Sequence, residues 1–281
     1  MIKKVLTVAG SDSTGGAGIQ ADLKTFQEYG TFGFSAITSV MTMDPDQNWS
    51  HEVTSFSPEL VAKQLKSIFT GGPLAAVKTG LLGDVGTIEV VKDYLEKYQM
   101  PNVVIDPVIA SKGTQDLFQS ENVMAIKKNL LPLATIMTPN LVEAAILAEM
   151  PPLENLAEMK IAAEKIYQLG PKNVIVKGGH RLGGEKALDV FFDGRNFEIL
   201  ENPLFKTDFN HGAGCTFAAA ITAGLAKELS VFEAVVLAKD FVAAAIQEGL
   251  EINQYLGHVW HGAYNQAQNR MTSKNNQPSI N

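Results

Sequence analysis

Residues 210–216 read Asn-His-Gly-Ala-Gly-Cys-Thr and lead into an alanine-rich helical pattern at 213–228. Glycine-rich backbone at the start of a helix leaves N–H groups unpaired where the helix dipole is positive. Such a turn binds an anion, either a phosphate or the charge that develops in a transition state. Cys215 lies in this turn, where we expect the pKa of its thiol to fall. The alternative is a small buried cysteine in an ordinary turn.

Further polar side chains and glycines follow three buried, β-branched segments. They are Asp106, then Asn140 with Glu143 one helical turn later, and Lys177 with Gly178 and Gly179. Open α/β sheets bind ligands at the carboxyl ends of their strands. Carboxylates suit Mg²⁺, and a lysine offsets the charge of a phosphate. Each residue alone is typical of a cap or turn, but with the anion site they predict nucleotide-dependent phosphoryl transfer.

A second glycine-rich loop, residues 10–18, separates the first predicted strand from the first predicted helix. It is not a Walker A loop, because Gly16 and Ala17 stand where the lysine and hydroxyl are needed. The dinucleotide-binding fingerprint fits from Gly16 to Ala21, but five residues separate it from the strand it should follow at once. A dinucleotide loop and an ordinary helix start remain alternatives. We favour a loop that approaches a small substrate.

Short β-branched segments alternate with helical periodicity along most of the chain. Strands are predicted at residues 5–9, 35–41, 75–79, 103–106, 135–138 and 174–177, and helices near 17–29, 58–69, 86–98, 123–130, 142–148, 156–169, 213–228 and 231–247. This alternation indicates a parallel sheet, and strands that are apolar throughout indicate that both of its faces are covered. Segments 188–192 and 197–200 flank an Asp-Gly turn and predict an antiparallel hairpin at the sheet edge.

Composition narrows the class of protein. The 281 residues include one cysteine, which excludes an intramolecular disulfide. The net charge of −7 is a poor footprint for nucleic acid. No apolar run approaches the roughly 18–20 residues of a membrane span, and the apolar start is too short for a signal peptide. We expect a cytoplasmic protein without nucleic-acid or membrane partners, with one domain over residues 1–270 and a polar, disordered tail at 271–281.

Seven short motifs are spread along the chain. They are Ala-Gly-Ser-Asp at 9–12, Gly-Gly-Ala-Gly-Ile-Gln-Ala-Asp-Leu-Lys-Thr at 15–25, Lys-Thr-Gly at 78–80, Asp-Pro-Val at 106–108, Thr-Pro-Asn-Leu-Val-Glu-Ala at 138–144, Lys-Gly-Gly-His at 177–180 and the segment 210–216. Together they resemble the vitamin kinases of the ribokinase superfamily, in the branch of the hydroxymethylpyrimidine (phosphate) kinases and bacterial pyridoxine/pyridoxal kinases. The resemblance implies an α/β, three-layer, ribokinase-like fold with a mostly parallel central sheet flanked by helices, an antiparallel edge hairpin and a homodimer.

The same resemblance implies roles for individual residues. ATP would contact Asn140, Lys177, Gly178, Gly179, His180, Arg181, Asp189, Gly214 and Lys239. The acceptor alcohol would lie among Gly10, Asp22, Met43, Gly80, Val108 and Cys215. Mg²⁺ would bind near Glu143 and Asp106. The catalytic residues would be Gly212, Ala213, Gly214 and Cys215, with backbone N–H groups holding the transferring oxygens and Cys215 as candidate base.

The acceptor is indicated by residues 43–45. The pyrimidine kinases commonly carry a glutamine, usually followed by Asn-Thr, where this chain reads Met-Asp-Pro. That glutamine can hydrogen-bond an aminopyrimidine, which a thioether cannot replace. Residues 42–46 and 49–51 instead resemble the pyridoxine/pyridoxal kinases, so we favour a B6 vitamer as acceptor, with hydroxymethylpyrimidine or dual activity as the alternative. Relatives often have Cys-Lys-Gly where residues 111–113 read Ser-Lys-Gly, so this segment supplies no thiol for chemistry here.

Overall fold

A computed structural model describes residues 1–109, 120–179 and 181–275. The strands in this part of the chain are β1 (Lys4–Asp12), β2 (Phe32–Asp44), β3 (Ser50–Ser55), β4 (Ala76–Thr79), β5 (Val103–Ile105), β6 (Ile136–Met137), β7 (Val174–Lys177), β8 (Lys186–Phe192), β9 (Phe197–Pro203), β10 (Leu250–Asn253) and β11 (Leu256–His258). The helices are α1 (Gly18–Glu28), α2 (Pro58–Thr70), α3 (Val85–Lys97), α4 (Ser120–Ala125), α5 (Leu141–Leu147), α6 (Leu156–Tyr167), α7 (Ala213–Ala226), α8 (Val231–Gln247) and α9 (Ala263–Asn275).

Nine of the strands form one sheet in the order β3-β2-β1-β4-β5-β6-β7-β8-β9. The strands from β2 to β7 pair in parallel, whereas β3 at one edge and β8 and β9 at the other are antiparallel. Strands β10 and β11 form a separate antiparallel pair. The predicted mostly parallel sheet with an antiparallel edge hairpin is therefore confirmed.

Consecutive residues of the central strands enter different cores, because side chains alternate between the two faces of a strand. Leu6 packs into the core that α2 to α6 cover, and Val5 packs into the core that α1, α7 and α8 cover. Val103 and Val104 are divided in the same way, and all four side chains are at most 1% exposed. Burial on both faces explains why these strands are apolar throughout, and the two layers of helices confirm the predicted three-layer arrangement.

The structure also contains elements that the sequence did not predict. They are the edge strand β3, the pair β10 and β11, and the last helix α9. Helix α9 continues to Asn275, so the first five residues of the predicted tail are helical. The remainder of that tail lies outside the described residues, as do the predicted ligand His180 and the segment 111–113. In the described part of the chain, no helix is long and apolar enough to cross a membrane.

Candidate active site

The predicted site residues meet along one edge of the sheet, where the parallel strands end. β1 ends at Asp12, Gly80 follows β4, Asp106 follows β5 and Lys177 ends β7. Lys177 lies at the point where these groups converge, with its Nζ 3.4 Å from Asp106 Oδ1. The carboxyl edge of the sheet therefore brings together charged groups that are distant in sequence.

Asn140 begins α5 through a capping box. Its Oδ1 accepts hydrogen bonds from the N–H groups of Val142 and Glu143 at 2.9 and 3.0 Å, and Glu143 Oε2 accepts one from the Asn140 N–H at 2.8 Å. The box holds the Glu143 carboxyl at the same edge, where it is 3% exposed. Burial raises the pKa of Glu143 to about 7, with Lys177 opposing the shift and Asp106 adding to it. The capping box thus holds a buried acid close to the charges of Lys177 and Asp106.

The turn before α7 depends on a glycine. Gly212 has φ +87°, and a Cβ there would lie 1.8 Å from the carbonyl oxygen of Gly16. The Gly212 carbonyl accepts hydrogen bonds from Thr216 N–H at 2.9 Å and Thr216 Oγ1 at 2.8 Å, which fixes its orientation. The turn is thus held in one conformation and admits no side chain at this position.

The turn before α7 offers fewer backbone donors to an anion than the sequence predicted. The Ala213 N–H donates to the Asn210 carbonyl at 3.1 Å, so it is engaged within the turn. Among the described residues, the N–H groups of Gly214 and Cys215 have no hydrogen-bond acceptor, as expected for the first turn of a helix. Of the predicted donors, the Ala213 N–H is thus already engaged, whereas no acceptor is found among the described residues for those of Gly212, Gly214 and Cys215.

Two cavities open on this turn. The first, the β8–α8 pocket, has a volume of about 340 Å³ and lies between β8, β9, α7 and α8. The second, the β1–α1 pocket, has a volume of about 310 Å³ and lies between the ends of β1 and β5, α1 and α7. Five residues line both cavities, namely Asn140, Lys177, Asn210, Ala213 and Gly214. Ligands in the two pockets would therefore meet at the start of α7.

The residues predicted to bind a nucleotide line the β8–α8 pocket. They are Asn140, Lys177, Gly178, Gly179, Arg181, Asp189, Gly214 and Lys239. Lys239 Nζ donates to Asp189 Oδ2 at 2.6 Å, and Asp189 Oδ1 accepts the Gly178 N–H at 3.0 Å. Asp189 thus orients both a cation and a backbone donor at the pocket wall.

Most residues predicted to bind the acceptor line the β1–α1 pocket, namely Gly10, Gly80, Val108 and Cys215. Met43 is 8% exposed and does not line the pocket, so the structure does not place this predicted residue at it. Strand β2 brings Met41 to the pocket instead, because Met43 lies one full pleat further along the strand. Val108 has φ +40°, a strained conformation for a β-branched residue, at the pocket wall.

Asp22, which was also predicted to bind the acceptor, does not line the pocket either. Its side chain is fully buried, and both carboxylate oxygens lie 2.8 Å from Lys78 Nζ. Thr7 Oγ1 donates to the same carboxylate at 2.6 Å. A carboxylate with no exposed surface cannot contact an acceptor, and Asp22 instead compensates the buried charge of Lys78.

Asp106 and Glu143 both line the β1–α1 pocket, as a shared metal ion requires. The donor set fits Mg²⁺, which is held by one or two carboxylates together with substrate phosphates. In the described part of the chain, no group of three or more His, Cys, Asp or Glu side chains is arranged to hold a metal by itself. The residues present therefore suit an ion that arrives with a nucleotide.

The pKa expected for Cys215 was wrong in direction. Burial raises the pKa of the thiol to about 11; Lys78 and the Gly18 N–H oppose the shift, and Asp22 adds to it. Desolvation of the thiolate thus outweighs the helix start on which the sequence argument rested. The thiol is protonated at neutral pH.

Several residues line the β1–α1 pocket although the sequence analysis gave their side chains no role, namely Asp12, His51, Asp208 and His211. Asp12, His51 and His211 lie in segments 9–12, 49–51 and 210–216, which resemble the vitamin kinases, so a signal for them was present in the sequence. Strand β2 also brings Met41 to this pocket.

Comparison with known proteins agrees with this geometry. Residues 12–260 match the family described as Phosphomethylpyrimidine kinase. The pyridoxine kinase of Bacillus subtilis is 46% identical over 260 residues, which cover 92% of this chain and 96% of the relative. The hydroxymethylpyrimidine/phosphomethylpyrimidine kinase of Haemophilus influenzae is 42% identical over 267 residues, or 94% and 98% of the two chains.

Solved structures show the same fold. The ADP complex of Bacillus subtilis pyridoxal kinase matches with a TM-score of 0.90 and 45% identity, covering 95% of this chain and 100% of that chain. The pyridoxal kinase from Staphylococcus aureus in complex with AMP-PCP and pyridoxal matches with a TM-score of 0.89 and 45% identity, covering 95% and 96%. The resemblance identified from the motifs is thus confirmed along nearly the whole sequence, and the chain belongs to the phosphomethylpyrimidine kinase family.

Proposed function

We propose that this chain is an ATP-dependent kinase that phosphorylates the 5′-hydroxymethyl group of pyridoxine, pyridoxal or pyridoxamine. The observation that carries this function is the pair of pockets that share the start of α7. ATP in the β8–α8 pocket would direct its γ-phosphoryl group at the turn, and the vitamer in the β1–α1 pocket would present its alcohol there. The Staphylococcus aureus pyridoxal kinase, whose structure contains AMP-PCP and pyridoxal, supports this assignment.

The chain would act mainly by positioning and charge stabilisation. Lys177 borders both pockets and offsets the charge of the transferring phosphoryl group, and the N–H groups of Gly214 and Cys215 donate to its oxygens. Asp106 and Glu143 would hold Mg²⁺ at the same edge. A bound Mg²⁺ neutralises part of the phosphate charge.

Proton removal from the acceptor alcohol would contribute little. A thiol with a pKa of about 11 is almost entirely protonated at pH 7, so Cys215 is poorly suited to act as general base. The loose transition state of phosphoryl transfer asks little of a base. Cys215 therefore belongs to the site through its backbone N–H and through the shape of the pocket.

Hydroxymethylpyrimidine phosphorylation is the second candidate. It is favoured by the 42% identity to the Haemophilus influenzae hydroxymethylpyrimidine/phosphomethylpyrimidine kinase and by the family that the chain matches. Met43 does not line the acceptor pocket, which weakens the argument from this residue against a pyrimidine acceptor. The higher identity to pyridoxine kinases keeps the B6 vitamer in first place.

Parallel steady-state assays distinguish the two acceptors. Purified protein is assayed with Mg·ATP and either pyridoxal or hydroxymethylpyrimidine, and phosphorylated products are quantified by chromatography. We expect a higher kcat/KM for pyridoxal. A higher kcat/KM for the pyrimidine would reverse the order, and absence of phosphorylation of both would reject a vitamin kinase.

The structure of the glycine-rich loop at residues 10–18 argues against the dinucleotide alternative. A Cβ at Gly16 would lie 2.6 Å from the His258 ring and 2.7 Å from the His211 ring, so side chains already occupy the space beside this backbone. A pyrophosphate would have to displace both rings. Calorimetry that detects NADH binding but no Mg·ATP binding would restore the dinucleotide alternative.

The homodimer and the cytoplasmic location complete the proposal. The homodimer is supported by the resemblance to the vitamin kinases. Light scattering coupled to size-exclusion chromatography should give about twice the 30.3 kDa mass of the chain. A mass of one chain at micromolar concentration would reject the dimer.

A further inference from the structure

Two loops border the β1–α1 pocket and meet at a hydrogen bond between a carboxylate and a histidine. One loop follows β1 and the other precedes α7. Asp12, at the end of β1, places its Oδ2 2.9 Å from His211 Nε2, which belongs to the second loop. The Asp12 side chain is 1% exposed and that of His211 is 18% exposed, so the contact is largely buried at the wall of the pocket. His211 immediately precedes Gly212, the residue on which the turn before α7 depends.

The Asp12 carboxylate accepts hydrogen bonds from both loops. Oδ1 accepts the N–H of Thr14 at 2.8 Å and its Oγ1 at 2.7 Å, and Oδ2 accepts the N–H of Ala17 at 2.8 Å as well as His211 Nε2. Burial would raise the pKa of Asp12, but the hydrogen bonds from His211 and Thr14 outweigh it and hold the pKa well below its usual range. Because a carboxylate only accepts, His211 must carry a proton on Nε2. One buried group thus fixes both loops.

The backbones of the two loops also interlock. The hypothetical Cβ of Gly212 would lie 1.8 Å from the Gly16 carbonyl, and that of Gly16 would touch the His211 ring at 2.7 Å. On its other side, the His211 backbone pairs with the end of β11. Its N–H donates to the Gly257 carbonyl at 3.1 Å, and its carbonyl accepts from the Val259 N–H at 3.2 Å. With its backbone held by one element and its ring by Asp12, His211 can move only if the β1 loop moves too.

We propose that His211 is a positioning residue. Through its contact with Asp12, it holds the anion-binding turn of α7 at a fixed distance from the loop after β1. This inference rests on the proposed kinase function. The end of β1 and the loop after it contribute Gly10, Asp12 and Ala17 to the acceptor pocket, whereas the turn contributes the donors for the phosphoryl group. The Asp12–His211 pair therefore sets the distance between the acceptor alcohol and the phosphoryl group. A displacement of about 1 Å between reacting groups can cost about 100-fold in rate.

Two substitutions distinguish the effect of the hydrogen bond from the effect of the size of the ring. His211→Leu removes the donor but keeps an apolar side chain of similar size. His211→Gln keeps an N–H at the same number of bonds from the backbone as His Nε2. We expect the Leu variant to lose about 10–100-fold in kcat, with KM for ATP within about threefold of the wild type, because His211 does not line the β8–α8 pocket. The Gln variant should recover most of that loss.

Hydrogen exchange followed by mass spectrometry provides a readout that does not depend on activity. The N–H groups of Thr14 and Ala17 donate to Asp12, which in turn contacts His211 of the other loop. We expect His211→Leu to accelerate exchange in peptides that span residues 12–18, although the substitution lies in the other loop, and His211→Gln to leave that exchange near the wild-type rate. Peptides from α3 serve as an internal control and should not change.

The outcomes decide the inference separately from the proposed function. Unchanged kcat or unchanged exchange in the Leu variant would overturn it, and so would equal losses in the Leu and Gln variants. Faster exchange in every peptide would also overturn it, because His211 would then support the whole fold. If the wild type phosphorylated neither acceptor, the proposed function would fall, and with it the positioning role. The exchange data would still test whether the pair couples the two loops.

Discussion

Lys177 Nζ lies 3.4 Å from Asp106 Oδ1, in the wall that separates the two pockets. Burial would lower the pKa of Lys177, but the carboxylates of Asp106 and Glu143 outweigh burial and raise it. The lysine therefore keeps its charge although it is largely buried. Without bound phosphate the two carboxylates balance that charge, and a phosphoryl group entering from the nucleotide side would compete with them for it.

Replacement of Lys177 by methionine should impair catalysis with both substrates. We expect Lys177→Met to lower kcat by about 100-fold or more, because removal of one donor that stabilises transition-state charge typically costs about 10²–10³. Steady-state kinetics with ATP and the vitamer varied in turn measure the effect. Lys92→Met, on the partly exposed side of α3, is the matched control and should be neutral. A loss below about fivefold for Lys177→Met would contradict the role given to the lysine.

Cys215 should tolerate loss of its thiol. We expect Cys215→Ala to lower kcat by less than about tenfold at pH 7.5, whereas loss of a general base typically costs about 10²–10⁴-fold. A larger loss, with a changed pH profile of kcat, would restore the thiol as base. Because the chain has one cysteine, alkylation by iodoacetamide reports on it alone. Its rate should still be rising at pH 10, as a pKa of about 11 requires.

His261 should make stability depend on pH. Its ring is 3% exposed, and burial lowers its pKa to about 4, while Nε2 lies 3.0 Å from Thr216 Oγ1. Unfolding below pH 6.5 therefore takes up a proton that the folded protein excludes, and stability falls as the pH drops from about 6.5 to about 4. Between pH 7.5 and 5 we expect this group to cost about 2 kcal/mol.

Urea denaturation of the wild type and His261→Gln measures that cost. Glutamine retains a donor for Thr216 and does not titrate, so the difference between the two proteins isolates the histidine. The wild type should lose more stability than the variant between pH 7.5 and 5. Parallel pH dependences would show that His261 does not stay neutral in the folded protein.

Asp22 and Lys78 form the most deeply buried ion pair described, with neither side chain exposed. Burial would lower the pKa of Lys78, but Asp22, together with Cys215 and Asp106, outweighs burial and raises the pKa, so the lysine stays charged. Asp22→Asn leaves that charge uncompensated and should cost about 3–5 kcal/mol of folding free energy. In the double variant Asp22→Leu, Lys78→Met the loss should be smaller, because no charge remains buried. Asp93→Asn, at an exposed site of α3, is the neutral control.

Denaturant titrations compare these proteins, with acceptor KM measured in parallel. An Asp22→Asn protein of wild-type stability but raised KM for the vitamer would restore the original prediction that Asp22 binds the acceptor. A double variant less stable than Asp22→Asn would show that the pair contributes more than mutual compensation.

The central sheet could be predicted because its strands are buried on both faces, and continuous apolar segments such as 103–105 mark them. Strand β3 was missed for the opposite reason. The strand lies at the edge of the sheet, and its side chains are partly or fully exposed. Its sequence, Ser-His-Glu-Val-Thr-Ser, therefore has no apolar pattern that predicts a strand. Such a strand is specified by its antiparallel pairing with β2 and not by its own composition.

The site was predictable where a residue directly follows a strand, since all parallel strands end at one edge. Asp106, Asn140 and Lys177 were located by this rule alone. The rule says nothing about which side of a helix faces the pocket, and Asp22 on α1 was misplaced for that reason. Its partner Lys78 is 56 positions away. The pKa of Cys215 was likewise beyond the sequence, because it depends on burial among elements that only the fold brings together.

Among the residues that the structure describes, none at the opposite edge of the sheet, where the parallel strands begin, lines either pocket. Residues 171–173 precede β7 there, and Lys172 is exposed. A fluorophore attached through Lys172→Cys would be separated from both pockets by the length of the sheet. Since the native thiol is protonated at neutral pH, maleimide should modify the new cysteine first, and the labelled protein would report ligand binding without occupying either binding site.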